Sequence, residues 1–392
     1  MVFFESLTDS QNIYNFIIRP VREYLNEHKK IKDLEPILAG PKLEKLKKID
    51  DVFYYLENGF VVVIYKDDIF TSEIKADIDR GITMSQTEPN MYGPKDAFCE
   101  NYQKNLGIIK KRIKNKNLKI ESVDRGVYTK TKLSILYLDD KVHKVELDKI
   151  KETLNRQKDK EVTDSYDLVK ELETSKIFPT IFKTEKPALV AKFILKGYVV
   201  IIIDNTPFAL VMDAKFKDFV NPFTTDKFVR VLRYICLIMN VLIPAIYIAL
   251  INFNQEAVPT SLLISFSKQR SGVPFPAIIE ATAMLFICEI LKEADVRFPS
   301  TYGSSASILG ALVLGDAAVS AGIVSPIMII VVALSFITGL IFTEMELVGA
   351  LRLFRYVFLF IAAFLGLYGL SIAIVTSIAL LANTKTYEGS YL

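Results

Sequence analysis

Three carboxylates lie in stretches of sequence that are otherwise apolar: Glu280, Glu289 and Asp316. A charged side chain at the centre of a bilayer costs roughly 2.5–3.5 kcal/mol on insertion scales, so such residues face a partner, a subunit interface or water. Two interpretations remain open for Glu280 and Glu289. Either they lie near a membrane boundary or pair with Lys292 or Arg297, or at least one of them lines a polar pathway. For Asp316 a structural and a functional role are equally compatible with the sequence.

Asp316 belongs to a segment, Ser304–Val319, that is rich in glycine, alanine and serine. Gly310, Gly315 and the small residues between them allow the backbones of neighbouring helices to approach closely. A helix with so little side-chain volume cannot shield Asp316 from lipid by itself. The segment therefore favours a helix that packs against other helices.

Prolines mark the places where the apolar segments bend or break. Pro244 lies inside the uncharged run Tyr234–Phe253 and is expected to kink a helix there. Pro274 and Pro276 follow a short apolar stretch, Val258–Phe266, that is too short to span a bilayer. That stretch is predicted to be re-entrant or interfacial, or else a plain extracellular loop.

Other kinds of chemistry have little support. The three cysteines (Cys99, Cys236, Cys288) are scattered and lack the spacing of a disulfide framework or a metal site, and the two histidines are far apart. Glycine-rich nucleotide-binding motifs and a nucleophile motif are missing from the sequence, and the net charge of +3 does not favour nucleic acid. We therefore predict no catalytic residue, no metal, no cofactor and no enzymatic activity.

The charges divide the chain into two parts. The first 232 residues contain 76 charged side chains, whereas the last 160 contain 17. The first part is suited to water and the second to lipid, which excludes a purely soluble protein. The start of the chain lacks the pattern of a secretory signal. Five membrane spans are predicted by length and apolar character: 234–253, 274–291, 304–319, 323–342 and 356–381.

The predicted fold class is an α/β or α+β soluble region of two subdomains, 1–118 and 119–226, followed by an all-α membrane domain, 227–392. In the first subdomain, Asn58-Gly59 and the run Phe60–Tyr65 indicate a hairpin whose other arm is Val52–Leu56. The remaining predicted elements are an amphipathic helix, 96–115, with a basic end, strands at 133–138, 197–203 and 208–212, and helices at 144–157 and 165–174.

The basic residues also predict an orientation. Arg230 and Arg233 precede the first span, and Arg352 and Arg355 precede the last. Since arginine beside a span favours the cytoplasm, the soluble region is predicted to be cytoplasmic.

Several long motifs resemble the A subunits of spore germination receptors, the GerA family. Val273–Glu280 (VPFPAIIE) is similar to the family's GVPFPAxxE signature, and Glu289–Pro299 to its "EILREAGIRLP" pattern, with Asp295 in place of the usual glycine. Ser307–Val319 and Ala321–Pro326 (AGIVSP) match the motifs that follow. In the soluble part, Val200–Leu210 and Gly93–Phe98 resemble family motifs as well.

The resemblance implies a subunit of a nutrient-germinant receptor in the spore inner membrane, a multi-pass protein with a cytoplasmic soluble region. Its implied partners are a transporter-like B subunit, a lipoprotein C subunit, membrane lipid and further copies of itself. On this interpretation the copies form or gate a cation-release channel. The predicted pore or polar pathway comprises Gly310, Gly315, Asp316, Glu280 and Glu289, and the predicted gating or kink positions are Pro244, Pro274 and Pro276.

Two alternatives stay open. One is a non-conducting scaffold of the receptor or of a complex that releases dipicolinic acid. The other is a secondary transporter that uses Glu280 and Asp316, although the sequence has no visible internal repeat.

Overall fold

The computed structural model describes residues 1–3, 8–28, 31, 33–46, 49–57, 59–66, 68–74, 94–222, 226–297, 314–342, 344–387 and 389–392. The chain forms two compact units, Met1–Gly81 and Ile82–Leu392. The predicted boundaries between subdomains, at 118 and 226, stay predictions.

The first unit is a small three-stranded sheet with helices. Strands β1 (Glu44–Leu46), β2 (Phe60–Tyr65) and β3 (Asp68–Glu73) lie in the order β1-β3-β2, all antiparallel. Helices α1 (Ser10–Ile13) and α2 (Arg19–Glu27) are joined by a π-helical stretch, Tyr14–Ile18, and α3 is Val52–Glu57. The core of this unit comprises Ile13, Ile17, Leu34, Leu38, Val61, Phe70 and Ile74.

The predicted strand Phe60–Tyr65 is present, but its predicted hairpin partner was wrong. Val52–Glu57 forms helix α3, and β2 pairs with β3, the next segment of the chain. Gly59 explains the difference, because its φ of 75° and its N–H bond to the Leu56 carbonyl, at 3.1 Å, end a helix. A glycine in the left-handed region is the commonest way to end a helix, and here it does so instead of closing a hairpin.

The second unit begins with residues 94–222, which we call the sheet subdomain. Its five strands are β4 (Leu118–Arg125), β5 (Thr131–Leu138), β6 (Phe182–Thr184), β7 (Val200–Ile203) and β8 (Ala209–Val211). They form an antiparallel sheet in the order β4-β5-β7-β8-β6. Its helices are α4 (Tyr102–Arg112), α5 (Lys144–Arg156), α6 (Ser165–Leu172), α7 (Pro187–Leu195) and α8 (Phe216–Val220).

Both faces of this sheet are covered. Leu136, Val200 and Ile202 face a core shared with α4 and α7, whereas their neighbours Ile135 and Ile201 face a core shared with α5 and α6. Alternate side chains of a strand point to opposite faces, so strands buried on both sides read as continuous apolar runs. The α/β character predicted for the soluble region is therefore confirmed, and the predicted strands and helices of this subdomain are present with ends shifted by a few residues.

The helical part, residues 226–392, contains α9 (Lys227–Asn252), α10 (Thr260–Arg270), α11 (Ala277–Arg297), α12 (314–320), α13 (Pro326–Gly339) and α14 (Met345–Asn383). Within the described residues, two helices, α9 and α14, are long and apolar enough to cross a membrane, and α13 is apolar but shorter. Most of the predicted span 304–319 lies outside the described residues. The count of five spans stays a prediction.

Helix α14 reverses direction at Gly366, whose φ of 61° and ψ of −151° are not helical. A straight helix of its 39 residues would separate its ends by about 58 Å. Both ends nevertheless contact the sheet subdomain: Glu346 pairs with Lys183 at 2.6 Å, and the Tyr387 N–H donates to Asp213 at 2.8 Å. Helix α14 is therefore a hairpin of two arms with its turn at Gly366.

Candidate functional site

Glu280 lies in the first turn of α11 and is buried in the helical part, with a residue exposure of 1%. Its Oε2 accepts hydrogen bonds from both the backbone N–H and the hydroxyl of Ser325, each at 2.9 Å. Ser325 is the N-cap of α13, so the carboxylate lies at the positive end of that helix. Arg270, at the end of α10, places its Nη2 3.5 Å from the other carboxylate oxygen. Glu280 thus connects three helices.

The two prolines of the VPFPAIIE motif precede this carboxylate. Both Pro274 and Pro276 are exposed in the connection between α10 and α11. The Pro276 carbonyl accepts from the N–H groups of Ile279 and Glu280, at 2.9 and 3.2 Å, and so begins helix α11. Pro276 therefore fixes where α11 begins, and with it the position at which Glu280 contacts Ser325. A gating role for either proline stays a prediction.

Glu289 forms a second ionic group, two and a half turns further along α11. One oxygen lies 2.5 Å from Arg355 Nη2 and the other 3.0 Å from Arg352 Nη2, both on α14. The two arginine partners come from another helix, Lys292 lines the same cavity as Glu289, and the side chain of Arg297 lies outside the described residues. Arg355 is 4% exposed, so this ion pair lies between helices and joins α11 to α14.

Asp316 is placed differently from both glutamates. It lies on α12 and is exposed, and among the residues described the structure gives it no ion pair. The neighbouring Gly315 has open space around it, since an added Cβ would meet nothing within 4 Å. Gly310 lies outside the described residues. The structure therefore separates the predicted pathway residues into a buried ionic group at Glu280, a partly buried ionic group at Glu289 and an exposed carboxylate at Asp316, and their role in a pathway stays a prediction.

A reciprocal pair of hydrogen bonds holds α9 against α13. The side-chain amide of Asn240 donates to the Ser335 carbonyl at 2.7 Å, and the Ser335 hydroxyl donates to the Asn240 carbonyl at 2.6 Å. Gly339 leaves room for this contact, because an added Cβ would lie 2.5 Å from Asn240 Nδ2. Pro244 follows one turn later and is buried in α9, which continues as a helix through it.

Nothing in the sequence indicated Ser335 as the partner of Asn240 or Arg270 as the partner of Glu280. These contacts join residues that are far apart in the chain. The available signal was the polar residue itself, because a lone amide in an apolar helix needs a hydrogen-bond partner.

The described residues offer no candidate site for metal or redox chemistry. The described residues contain no group of three histidine, cysteine or acidic side chains placed to hold a metal ion. Cys99, Cys236 and Cys288 are not joined in disulfide bonds; two of them are buried and the third is partly buried.

The final residues of the chain connect the helical part back to the sheet subdomain. After α14, Thr174 donates to the Lys385 carbonyl at 2.9 Å, and Lys149 donates to the Tyr387 carbonyl at the same distance. Tyr391 is completely buried, and burial raises the pKa of its phenol. Burial also raises the pKa of Glu173, which lies near Glu346 at the start of α14. The two arms of α14 and the sheet subdomain therefore share one interface.

Fold and site together define a class: an α/β region followed by a helical part with two helices able to cross a membrane and buried ionic contacts between its helices. The chain belongs to the family described as "Bacillus/Clostridium GerA spore germination protein", whose model matches residues 1–392. This confirms the resemblance drawn from the motifs.

Two relatives from Bacillus subtilis support that assignment. The chain is 32% identical over 406 residues to spore germination protein KA of Bacillus subtilis (strain 168), covering 100% of this chain and 75% of the relative. It is 28% identical over 410 residues to spore germination protein B1 of the same strain, covering 100% of this chain and 84% of the relative. A crystal structure of the N-terminal domain of the A subunit of the Bacillus megaterium spore germinant receptor GerK3 is 31% identical, covers 31% of this chain and 97% of that one, and has a TM-score of 0.26.

Proposed function

We propose that this chain is a non-enzymatic A-type subunit of a spore germinant receptor and that its copies assemble in the membrane to form or gate a cation-release channel. The family assignment supports the role in germination. The helical part supports the membrane location, because α9 and α14 are long enough and apolar enough to cross a bilayer. A B-type transporter-like subunit and a C-type lipoprotein are the partners that the family relationship implies.

The observation that carries the channel proposal is the exposure of Asp316. Among the described residues, Glu280 and Glu289 have basic partners, whereas Asp316 is exposed on α12 and has no ion pair. An exposed carboxylate at that place is unfavourable against lipid, so it requires water or another subunit. Repeated around a ring of subunits, it forms a band of negative charge that favours cations.

The surface of α12 allows neighbouring subunits to pack closely enough to form such a band of negative charge. Among the described residues, nothing lies within 4 Å of a Cβ added at Gly315, so another copy can approach its backbone closely. The turn after α12 uses Gly322 at a φ of 67°, and the Ile323 N–H bonds to the Ala318 carbonyl at 3.0 Å. This closed turn fixes α12 with respect to α13. Helix α12, which carries Asp316, is thus connected through this turn to α13, and the N-terminus of α13 is bound by Glu280.

Asp316→Asn tests the channel proposal, because it removes the charge while preserving size. Cation flux is measured in liposomes containing the assembled receptor and in germinating spores. We expect flux to fall severalfold, while Ser320→Ala, which also changes an exposed polar residue of α12, leaves flux unchanged. Equal flux in Asp316→Asn and the unmodified chain, or a strictly monomeric chain in nanodiscs, contradicts the channel proposal.

The second candidate is a non-conducting scaffold. It is favoured by the buried pairs of Glu280 and Glu289, which act as ties between helices rather than as free charges. A receptor that forms stable complexes with its partner subunits but conducts no cations in liposomes supports this alternative.

A further inference from the structure

Three basic side chains meet around one carboxylate where α11 approaches α14. They are Lys292, Arg352 and Arg355, and with Glu289 they line a single cavity. We call these four residues the basic cluster. Glu289 neutralises one positive charge, so the cluster keeps a net charge of about +2. An excess of positive charge between apolar helices is unfavourable unless an anion pairs with it.

The arginine at the back of the cluster is not fully satisfied by Glu289. Arg355 Nη2 bonds to Glu289 Oε1, but Arg355 Nε is buried without a hydrogen-bond partner among the described residues. Arg355 as a whole is 4% exposed. Leaving a buried N–H of a charged group without a hydrogen bond is energetically costly, so Arg355 Nε is available as a donor to a further acceptor.

The cluster is open to a ligand from one side. The cavity measures about 20 Å³, room for one water-sized group, and is also lined by Asn240 and Gly339. At its edge, the side chain of Arg352 is 45% exposed, and Lys292 is half-buried. A large ligand cannot enter whole. A group with compact oxygen atoms can reach the arginines from the surface of the bundle.

The cluster also lies at a defined level of the helical part. Glu346, at the start of α14, pairs with Lys183 of the sheet subdomain, and Arg352 follows about 9 Å further along the helix. Beyond Arg355, the residues from Tyr356 to Leu381 carry no charge. The basic cluster therefore lies at the edge of the apolar section, on the side of the sheet subdomain. With α14 spanning the bilayer, as proposed above, this edge lies at the level of the lipid headgroups.

We propose that the basic cluster is a binding site for a phosphate group, presented either by an anionic phospholipid or by a free phosphate anion. Guanidinium groups match phosphate oxygens in a bidentate geometry, and basic pockets between membrane helices are suited to lipid headgroups. Arg352 and Lys292 bind the phosphate at the surface. Arg355 Nε donates from inside, and Glu289 holds the Arg355 guanidinium in place.

The test is lipid retention by the full-length chain, measured by native mass spectrometry after purification with defined lipids. We expect phosphatidylglycerol to be retained over phosphatidylcholine. Arg352→Gln and Lys292→Gln are each expected to weaken phosphatidylglycerol binding about tenfold, the value of one charge-assisted hydrogen bond. Arg230→Gln is the matched control, because it removes an exposed arginine from the same end of the bundle but not from the cavity.

A separate titration with inorganic phosphate distinguishes the two sources. If phosphate alone displaces phosphatidylglycerol and protects the chain against heat, the site takes the free anion; if only the lipid binds, it takes a headgroup. The proposal is overturned if the chain neither prefers phosphatidylglycerol nor is protected by inorganic phosphate, or if Arg352→Gln and Lys292→Gln bind the phosphate group as tightly as Arg230→Gln does. Arg352→Lys preserves the charge and is expected to retain most of the binding. These measurements need no channel activity, so they stand apart from the conductance test.

Discussion

The phenol of Tyr391 donates a hydrogen bond to the carbonyl of Pro179 at 2.6 Å. The ring of Tyr391 lies among Phe178, Phe216 and Phe219, with centroids 6.1, 6.2 and 6.5 Å away. The Phe216 N–H in turn donates to the Tyr391 carbonyl at 3.0 Å. The side chain of Tyr391, the next-to-last residue of the sequence, thus completes the core of the sheet subdomain.

Tyr391→Ala is expected to destabilise the protein by about 3–5 kcal/mol, because it removes a buried aromatic ring and leaves a cavity. Thermal unfolding of the full-length chain in detergent, followed by circular dichroism, measures the change. Tyr128→Ala is the matched control, since Tyr128 is 90% exposed, and it is expected to leave the unfolding temperature unchanged. Equal unfolding temperatures for the two variants would show that Tyr391 contributes little to the core.

Glu161 closes the turn between β4 and β5. Its carboxylate accepts from the backbone N–H groups of Tyr128 and Thr129, at 3.0 and 2.9 Å, and from that of Val127 at 3.0 Å. These hydrogen bonds lower the pKa of Glu161 to about 2 from its ordinary 4.5. The ionised form is therefore favoured by folding.

The sign of the pH effect follows from the lowered pKa. The stabilising contribution of Glu161 is fully present above about pH 4.5 and is lost as the pH falls towards 2. Glu161→Gln is expected to flatten the dependence of the unfolding temperature on pH over that range. The control is Glu152→Gln, which alters an exposed carboxylate on α5. A Glu161→Gln curve parallel to that of the unmodified chain would refute this linkage.

Gly366→Ala is expected to disrupt the turn of α14. The backbone of Gly366 lies in a region that is nearly exclusive to glycine, which costs other residues about 1–3 kcal/mol. An added Cβ would also lie 2.9 Å from the Cβ of Phe253. We expect lower thermal stability and more aggregation during purification.

Gly349→Ala provides the comparison within the same helix. A Cβ at Gly349 meets nothing within 4 Å, and alanine favours a helix over glycine by about 1 kcal/mol. This variant is expected to be as stable as the unmodified chain or more so. Similar behaviour of the two alanine variants would mean that α14 does not depend on a glycine at its turn.

The elements that sequence patterns predicted are those whose pattern is local. Strand β7 is a continuous apolar run and β5 is mostly apolar from Leu133 to Leu138, because the sheet is covered on both faces. Helix α5 repeats its apolar residues at helical spacing. The segment Val52–Leu56 was misassigned because aromatic and β-branched residues fit either element in so short a run. The glycine that follows decides in favour of the helix.

Long-range contacts were not predictable in the same way. The run Tyr356–Leu381 is uniformly apolar, so nothing in its composition shows that Gly366 divides it into two arms. The partners of Glu289 lie 63 and 66 residues further along the chain, beyond any spacing rule. The sequence located the charges that need partners, and three-dimensional packing determined which partners they find.

The anchoring of α14 has a mechanical consequence. One arm is fastened to the sheet subdomain through Glu346 and Lys183, the other through Tyr387 and Asp213, while Gly366 lies at the far tip. A rotation of the sheet subdomain would therefore move both arms of α14 together, and Gly366, at the tip of the hairpin, would be displaced the furthest.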